Sequence, residues 1–309
     1  MKVLVTGASG FIGKTLVSNL YNIDVNVLQV HRNVGNTEFG NEDIYYIDSL
    51  DGNTDWNGAF NGIEVVIHLA GLVHSNNSLD YQSVNTQGTI HLAQQAAKNN
   101  VNRFIFVSTI GVNGNSTVDS AFTESEIVSP HNPYASSKYN AELGLREIEK
   151  NSSLEVVIIR PTLVYGLGAP GSFNRLLTLV KKSSILPFGC AKNRRSFIAV
   201  QNLVDLLVTC IDHPKAAGHT FLVSDGKSIS IRELTDILAK SIGKDIYQIK
   251  IPVSLIKLVG SLIGKSEMVE QLYGNLEVDN SYLEKVLEWS PPLTMEQAML
   301  PEINKENHD

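Results

Sequence analysis

The pair Tyr134 and Lys138 has the most specific chemistry that this chain offers. On a helix, side chains four residues apart project from one face. The lysine charge favours the phenolate, so it is expected to lower the tyrosine pKa from its usual value near ~10. The two side chains could therefore work as one acid/base unit. The same spacing also arises by chance on exposed helices, so the pair depends on what accompanies it.

A glycine-rich turn near the N-terminus is the first accompanying feature. The apolar run Met1–Thr6 is followed by Gly7-Ala-Ser-Gly10-Phe-Ile-Gly13, after which apolar residues recur at helical spacing. A strand, a glycine turn and a helix start in this order predict a phosphate-binding site for a dinucleotide. Gly7 permits the tight turn, Gly10 lets the backbone approach the diphosphate, and Gly13 lets helix and strand pack closely.

Strands and helices alternate over the first half of the chain. The candidate strands are Val3–Thr6, Val25–Val30, Ile44–Ile47, Val65–Leu69, Phe104–Ser108 and Val156–Arg160. The main helical stretches are Phe11–Asn22, Tyr81–Asn99 and Pro133–Glu149. This alternation predicts an α/β fold with a doubly wound parallel (Rossmann) sheet. It ends near Tyr165, so a smaller C-terminal substrate-binding lobe is predicted.

Composition limits the classes of partner. The chain has 309 residues, 43% of them hydrophobic, and a net charge of −7, which argues against nucleic acid or an anionic membrane as the main partner. Cys190 and Cys210 lie twenty residues apart, and no two histidines and carboxylates share a metal-ligand spacing. Neither a disulfide framework nor a metal is predicted. Because the chain begins directly with a strand, a cytoplasmic protein without a signal peptide is expected.

The stretch Ile251–Met268 is the most membrane-like part of the sequence. It is interrupted by Pro252, Lys257, Lys265 and Glu267, and it falls short of the ~20 apolar residues that a span requires. No membrane span is therefore predicted. The stretch is interpreted as a packed helix of the C-terminal lobe, with peripheral membrane contact as the alternative.

Several motifs, in their order and spacing, resemble one known family. They are Thr6-Gly-x-x-Gly-x-x-Gly13, His68-Leu-Ala-Gly71, Val107-Ser-Thr109, Tyr134-x-x-x-Lys138, Arg160-Pro-Thr-Leu-Val-Tyr-Gly166, Arg195-Ser-Phe-Ile-Ala-Val200 and Trp289-Ser-Pro-Pro292. Together they resemble the extended short-chain dehydrogenases, the epimerase/dehydratase family that acts on nucleotide sugars. The resemblance implies an NAD(P)-binding domain at residues 1–165, to which residues 195–224 return. Residues 166–309 would mainly form the substrate lobe.

The resemblance also implies roles for individual residues. Thr109 would bond the reacting oxygen, Tyr134 would be the general acid or base, and Lys138 would lower its pKa and hold the nicotinamide ribose. The implied cofactor-binding residues are Gly7, Ser9, Gly10, Phe11, Ile12, Gly13, His31, Arg32, Asp48, Leu69, Ala70, Gly71, Asn85, Tyr134, Lys138 and Pro161. The implied substrate-binding residues are Thr109, Asn174, Phe188 and Arg195.

Purely structural roles remain open as alternatives for five of these residues. Asp48 would then be a turn residue, Asn85 a helix cap, Phe188 a core residue, and Arg32 and Arg195 members of solvated loops.

The end of the second predicted strand bears on the choice of cofactor. NAD sites place an acidic residue there to accept from the ribose 2′-hydroxyl, whereas this chain has His31 and Arg32. Both side chains could bind a 2′-phosphate, so NADP(H) is favoured, with NAD(H) possible.

The reaction is narrowed by the residues after Thr109. Family members that dehydrate sugars carry two acids there, whereas this chain has Ile110 and Gly111, so 4,6-dehydration is not expected. Hydride transfer at C4 of a UDP-sugar remains. The favoured interpretation is reduction of a 4-keto sugar for surface polysaccharide synthesis. The alternative is a UDP-hexose or UDP-N-acetylhexosamine 4-epimerase with tightly bound NAD, although Leu163 replaces a polar residue that epimerases often present to the sugar.

A different class of function is a non-catalytic sensor that binds NADP(H) without turnover. Relatives of that kind typically lose the tyrosine or the lysine, whereas this chain keeps Thr109, Tyr134 and Lys138. A serine-nucleophile hydrolase lacks its Gly-x-Ser-x-Gly motif here. The family resemblance also implies a homodimer formed through the helices around Tyr81–Asn99 and Pro133–Glu149.

Overall fold

The computed structural model describes residues 1–32 and 43–299. Its strands are β1 (Lys2–Thr6), β2 (Asn26–Arg32), β3 (Ile44–Ile47), β4 (Val65–His68), β5 (Arg103–Val107), β6 (Glu155–Pro161), β7 (Leu163–Tyr165), β8 (Ile185–Leu186), β9 (Phe197–Ala199), β10 (Thr220–Val223) and β11 (Tyr247–Gln248). Its α-helices are α1 (Phe11–Asn22), α2 (Ser78–Tyr81), α3 (Thr89–Lys98), α4 (Pro133–Lys150), α5 (Ser172–Lys182), α6 (Val200–Asp212), α7 (Ile231–Ser241), α8 (Val253–Leu262), α9 (Ser266–Tyr273), α10 (Ser281–Leu287) and α11 (Met295–Met299).

Seven strands form one parallel sheet in the order β10-β6-β5-β4-β1-β2-β3. The chain moves outward from β1 through β2 to β3, then returns to β4 on the other side of β1. This reversal opens a crevice beyond the carboxyl ends of β1 and β4, where open α/β sheets bind their ligands. The predicted doubly wound parallel sheet is therefore confirmed.

Hydrophobic layers cover both faces of the sheet. One layer contains the buried sides of α1, α6 and α10, and the other contains those of α3 and α4. The strands read as nearly continuous apolar runs because both of their faces are buried. A third core joins α5, α7, α9 and α11 in the C-terminal region.

Several elements differ from the sequence-based expectation, and two of them bear on the site. The helix predicted over Tyr81–Asn99 is divided into α2, a π-helical segment Gln82–Gly88, and α3. Strand β10, which was not among the predicted strands, pairs with β6 at the sheet edge. It is as short as β3, but it lies beyond Tyr165, where the regular alternation of strands and helices that supported the other predictions had ended.

Candidate active site

The turn between β1 and α1 forms a tight backbone cradle. Gly7 has φ +69°, a conformation that favours glycine, and the Gly10 N–H donates to the Gly7 carbonyl at 3.0 Å. Helix α1 begins after Gly10, which has no side chain to cap the first N–H groups. Those N–H groups can therefore donate hydrogen bonds to a diphosphate at the positive end of a 12-residue helix. The turn thus fits the phosphates of a dinucleotide.

Gly13 is expected to be intolerant of a side chain. An ideal Cβ at this position would lie 2.1 Å from the Gly7 oxygen and 2.8 Å from the Cα and the carbonyl oxygen of Ala8. These are backbone atoms, so the turn itself would have to open. Gly13→Ala should lower the free energy of unfolding by about 1–3 kcal/mol and weaken dinucleotide binding at least ~10-fold, both measurable by urea unfolding and calorimetry. In Gly52→Ala the new Cβ would meet only the Gln87 side chain at 3.6 Å, so this control should behave as wild type.

The loop after β4 forms the opposite wall of the crevice. A Cβ at Gly7 would lie 2.8 Å from the backbone nitrogen of Ala70, so the two turns are in close contact. The buried His68 ring fixes this wall, since Nδ1 lies 2.6 Å from Thr6 Oγ1 and Nε2 lies 2.9 Å from Thr89 Oγ1. Burial is the main reason why the pKa of His68 lies well below its usual value, so the ring remains neutral.

Asn85 joins this wall to α4. Its side chain accepts from the Leu72 N–H at 2.7 Å and donates to the Leu72 carbonyl and to Ser137 Oγ. It lies inside the π-helical segment, so the alternative role of a helix-start cap does not apply. π-helical turns often occur at functional sites, and this one holds the Leu69–Gly71 loop beside Lys138. The Lys138 Nζ lies 3.3 Å from the position of a Cβ on Gly71.

Tyr134 and Lys138 lie in the first two turns of α4. The helix starts with Asn132 as N-cap, whose side chain accepts from the Ala135 N–H at 2.8 Å, and with Pro133 in the first turn. Lys138 is buried; its Nζ donates to the Val107 carbonyl at 2.9 Å and lies 4.5 Å from the centre of the Phe106 ring. The ammonium is thus held between the end of β5 and the Leu69–Gly71 loop.

The Tyr134 pKa is raised in the structure, so the prediction that Lys138 lowers it is wrong. Burial, followed by the nearby Tyr81 phenol, raises the pKa of Tyr134 to about 12. The rings of Tyr81 and Tyr134 meet edge to face at 6.3 Å. The lysine bonds to Val107 instead, so desolvation of the phenolate determines the direction. The raised pKa could not be predicted from the sequence, which does not reveal that Tyr81 packs against the Tyr134 ring.

Lys138 itself should destabilise the fold at neutral pH. Burial lowers its pKa to about 8, so the folded protein loses this proton before the unfolded chain does. Lys138→Met should therefore raise the free energy of unfolding by about 1–3 kcal/mol at pH 7, after part of the gain is offset by the lost bond to Val107.

The difference in the free energy of unfolding between Lys138→Met and wild type should shrink as pH rises from 8 to about 10.5, because wild type gains stability over that range. Urea unfolding at several pH values measures the difference. The same change at exposed Lys98 should give no such pH dependence. A Lys138→Met difference that stays constant with pH would contradict the prediction.

Thr109 is better placed for substrate than its neighbour Ser108. The Thr109 side-chain oxygen accepts from the Gly111 N–H at 3.1 Å, which leaves its own hydrogen free to be donated. Ser108 is buried, and its hydroxyl donates to Glu142. His131 also lies near this strand end, with its Nδ1 3.2 Å from the Gly111 carbonyl oxygen.

A buried ion pair lies beneath the carboxyl end of β5, and it was not predicted from the sequence. Arg160 Nη2 and Nε bond the Glu142 carboxylate at 2.5 and 3.0 Å, with side-chain exposures of 7% and 4% for Arg160 and Glu142. Arg160 Nη1 also donates to the Asn113 side chain. Glu142 is four residues after Lys138, so helical spacing could have indicated that it shares the face of the pair.

The carboxyl end of β2 borders the crevice on the side away from Lys138. His31 is half-buried, with Nε2 3.3 Å from Gln29 Oε1, and Arg32 is exposed. Asp48 follows β3 immediately after Ile47, the residue paired with Arg32, and is exposed. A cavity of about 380 Å³ lies beside the phosphate turn and is lined by residues that include Ser9, Lys14, Tyr21 and His31.

The predicted substrate residues are more widely distributed. Asn174 is exposed on α5, whereas Phe188 is only 3% exposed and packs against Tyr273 in the third core, which favours its core alternative. Arg195 is half-buried and donates to the Gly274 carbonyl at 3.2 Å; burial lowers its pKa. Arg195 is therefore not in a solvated loop. Pro161 is buried at the carboxyl end of β6.

Most of the predicted cofactor and catalytic residues therefore follow strand ends on one edge of the sheet. Gly7 follows β1, Leu69–Gly71 follows β4, and Thr109 lies two residues after β5. Lys138 reaches this edge through its bond to the last residue of β5. This is the geometry expected of a dinucleotide site with a proton-transfer group beside it.

Comparison with known proteins identifies the family. A family model described as the NAD dependent epimerase/dehydratase family matches residues 3–224. The chain belongs to this family. A UDP-glucose 4-epimerase of Vibrio cholerae is 41% identical over 305 residues, which covers 96% of this chain and 92% of the relative. The predicted family is therefore confirmed, and so is the prediction of an NAD(P)-dependent enzyme of the nucleotide-sugar class.

Solved structures with the same fold include two 4-epimerases. A UDP-glucose 4-epimerase with UDP-glucose from Thermotoga maritima matches with a TM-score of 0.77 at 21% identity, covering both chains fully. A UDP-glucuronic acid 4-epimerase from Bacillus cereus in complex with NAD matches with a TM-score of 0.78 at 23% identity, again over both chains. At these identities the likeness concerns the fold of this epimerase/dehydratase.

Over residues 1–32 and 43–299, no helix is long and apolar enough to cross a membrane. In the same residues, no group of three or more histidine, cysteine or acidic side chains is placed to hold a metal ion.

Proposed function

We propose that this epimerase/dehydratase is a UDP-hexose 4-epimerase. The proposal is carried by Thr109 and Lys138 at the carboxyl end of β5, with Tyr134 one helical turn before Lys138 and with Ile110 and Gly111 in place of an acid pair. Such a site can transfer a proton beside a hydride but has no acids to expel water. The Vibrio cholerae relative, named a UDP-glucose 4-epimerase, supports this choice over net reduction.

The residues present fit a nicotinamide dinucleotide. The diphosphate would lie against Gly7, Gly10 and the start of α1, and Lys138 would hold the nicotinamide ribose beside Asn85. When bound, the nicotinamide supplies reversible hydride transfer. The remaining chemistry belongs to the side chains of this chain. The nucleotide-binding part would comprise residues 1–165 with 195–224.

Tyr134 would move the proton at the sugar O4, first as base and then as acid. Its raised pKa of about 12 means that a cation must approach the phenol before it can ionise near neutral pH. Lys138 is the buried cation on the same helix face, one turn away. Thr109 would donate its free hydrogen to O4 and keep that oxygen beside Tyr134.

The nucleoside diphosphate of the substrate would be held by the C-terminal region. Arg195 is half-buried, and its guanidinium can bond a diphosphate in a bidentate fashion. Asn174 on α5 would contact the nucleotide, whereas Phe188 would support the pocket from the core. We also propose a cytoplasmic homodimer through α3 and α4, which sizing by light scattering would test.

A second candidate, reduction of a 4-keto UDP-sugar, is favoured by one observation at the end of β2. His31 and Arg32 stand where an NAD site has an acid, and Lys14 and His31 line the adjoining cavity. These cationic or polar groups suit a 2′-phosphate, and a reductase that takes fresh hydride at each turnover is served well by NADPH.

Cofactor content and turnover separate the two candidates. The purified protein should release stoichiometric NAD on denaturation and convert UDP-glucose or UDP-N-acetylglucosamine into the C4 epimer without added dinucleotide. Product identity is read by NMR. A protein that lacks bound NAD and oxidises added NADPH only with a 4-keto sugar would reject the epimerase and establish the reductase.

A further inference from the structure

Helix α8 presents an apolar stripe to solvent. Leu255, Leu258, Val259 and Leu262 are 50%, 58%, 48% and 78% exposed. Their spacing of three, four and seven residues places them on one side of the helix. Ile263, which follows the helix directly, is 59% exposed. We call these five residues the α8 stripe.

The opposite side of α8 is already used for packing. Val253 and Ile256 pack against the third core, and Gly260 is buried so closely that a Cβ there would lie 2.6 Å from Val269 Cγ2. The helix is therefore apolar on both its inner and its outer side. A surface helix of a soluble protein normally has a polar outer face, whereas one that is apolar all round is covered by another apolar phase. The prediction of a packed helix accounts for only the inner side.

The charges around the stripe indicate the kind of partner. Residues 246–266 contain Lys250, Lys257 and Lys265 but no acidic residue, within a chain of net charge −7. All three lysines are exposed; Lys257 bonds Glu270 at 3.1 Å, and the other two lie before and after the helix. Lys250 and Lys265 therefore place positive charge at the two ends of α8, although Asp245 and Glu267 lie just outside this segment and the net charge argued against an anionic surface as the main partner of the chain. Acidic lipid headgroups complement this charge distribution.

The residues before α8 extend the apolar surface. Tyr247 is 70% exposed and Ile249 is 40% exposed, and alternate residues of an extended segment point to the same side. An exposed tyrosine with leucines and lysines is typical of helices that lie at a membrane interface. At ten residues α8 is about 15 Å long, too short to cross a bilayer.

We propose that the α8 stripe docks this enzyme on an anionic membrane surface, with α8 lying in the plane of the interface. The leucines would enter the headgroup boundary, and Lys250 and Lys265 would contact acidic headgroups, whereas Lys257 is paired with Glu270. This inference goes beyond the proposed 4-epimerase activity and stands without it.

Vesicle flotation tests the proposal with the full chain. Wild type should float with vesicles of equal parts phosphatidylglycerol and phosphatidylcholine, less with phosphatidylcholine alone, and less as salt rises. Leu258→Glu with Leu262→Glu should remain at the bottom of the gradient. Val118→Glu, a matched control at an 88% exposed apolar residue outside the stripe, should float as wild type.

A charge variant keeps the test decisive if the glutamate variant fails to fold. Lys250→Gln with Lys265→Gln should lower partitioning onto the anionic vesicles by roughly 30-fold, the equivalent of about 1 kcal/mol per lysine. Wild type that fails to float with anionic vesicles overturns the proposal. The proposal is also overturned if wild type binds no vesicles but self-associates, and the glutamate variant abolishes that self-association. The α8 stripe would then contact a second copy of the chain.

Discussion

Tyr134→Phe is expected to lower the turnover of the UDP-sugar by about 10²- to 10⁴-fold. The change removes one oxygen, the atom that would take the proton from the sugar O4. The ring remains to fill the buried site beside Tyr81, so the fold should be retained. The contacts that would hold the dinucleotide come from the phosphate turn and Lys138, so the dinucleotide Kd should not change.

The helix offers a matched control for this variant. Tyr139 lies five residues further along α4 and is half-buried, but it is not four residues from Lys138 as Tyr134 is. Tyr139→Phe should keep wild-type turnover. Steady-state turnover and dinucleotide titration of both variants measure the effects. If Tyr134→Phe retains more than about a tenth of wild-type turnover, then Tyr134 is not the group that transfers the proton.

Glu142→Gln is expected to lower the free energy of unfolding by about 3–5 kcal/mol, the largest stability effect that we predict. The substitution keeps the size of the side chain but leaves the buried Arg160 guanidinium without a counter-charge. The new amide oxygen could still accept from one Arg160 N–H, and Asn113 accepts from another, but neither partner carries the negative charge that balances the buried guanidinium. Urea unfolding at neutral pH measures the loss.

A second pair and a double variant separate charge from geometry. Glu277→Gln breaks the Arg194–Glu277 pair, whose side chains are 62% and 26% exposed, and should cost less than about 1 kcal/mol. Glu142→Met combined with Arg160→Met removes both buried charges and should recover most of the stability lost in Glu142→Gln. A Glu142→Gln variant within about 1 kcal/mol of wild type would show that the pair contributes little.

The sequence predicted the features that depend on local order along the chain. The phosphate turn could be recognised because the glycines, the apolar run before them and the helical spacing after them are contiguous. The doubly wound sheet followed from alternation, and the helix Phe11–Asn22 was predicted with the bounds that the structure has. Gathering Gly7, Thr109 and Lys138 at one edge then follows from parallel strands.

Features that depend on distant contacts were not predictable in the same way. The Tyr134 pKa rises because burial desolvates its phenol and because Tyr81 lies beside it, which the spacing of Tyr134 and Lys138 does not reveal. The Glu142–Arg160 pair joins a helix to a strand across eighteen residues. Phe188 lies in the core, because Tyr273, far along the chain, packs on its ring. The exposure of the α8 stripe also depends on which side of that helix the third core occupies.

Deuterium retention at C4 is the most direct test of the proposed reaction. UDP-glucose deuterated at C4 is incubated with purified protein without added dinucleotide, and the product is examined by NMR and mass spectrometry. We predict UDP-galactose that keeps the deuterium at C4, because the hydride would leave that carbon and return to it. No conversion, or a C4 epimer that has lost its deuterium, would contradict 4-epimerisation through hydride transfer at this site.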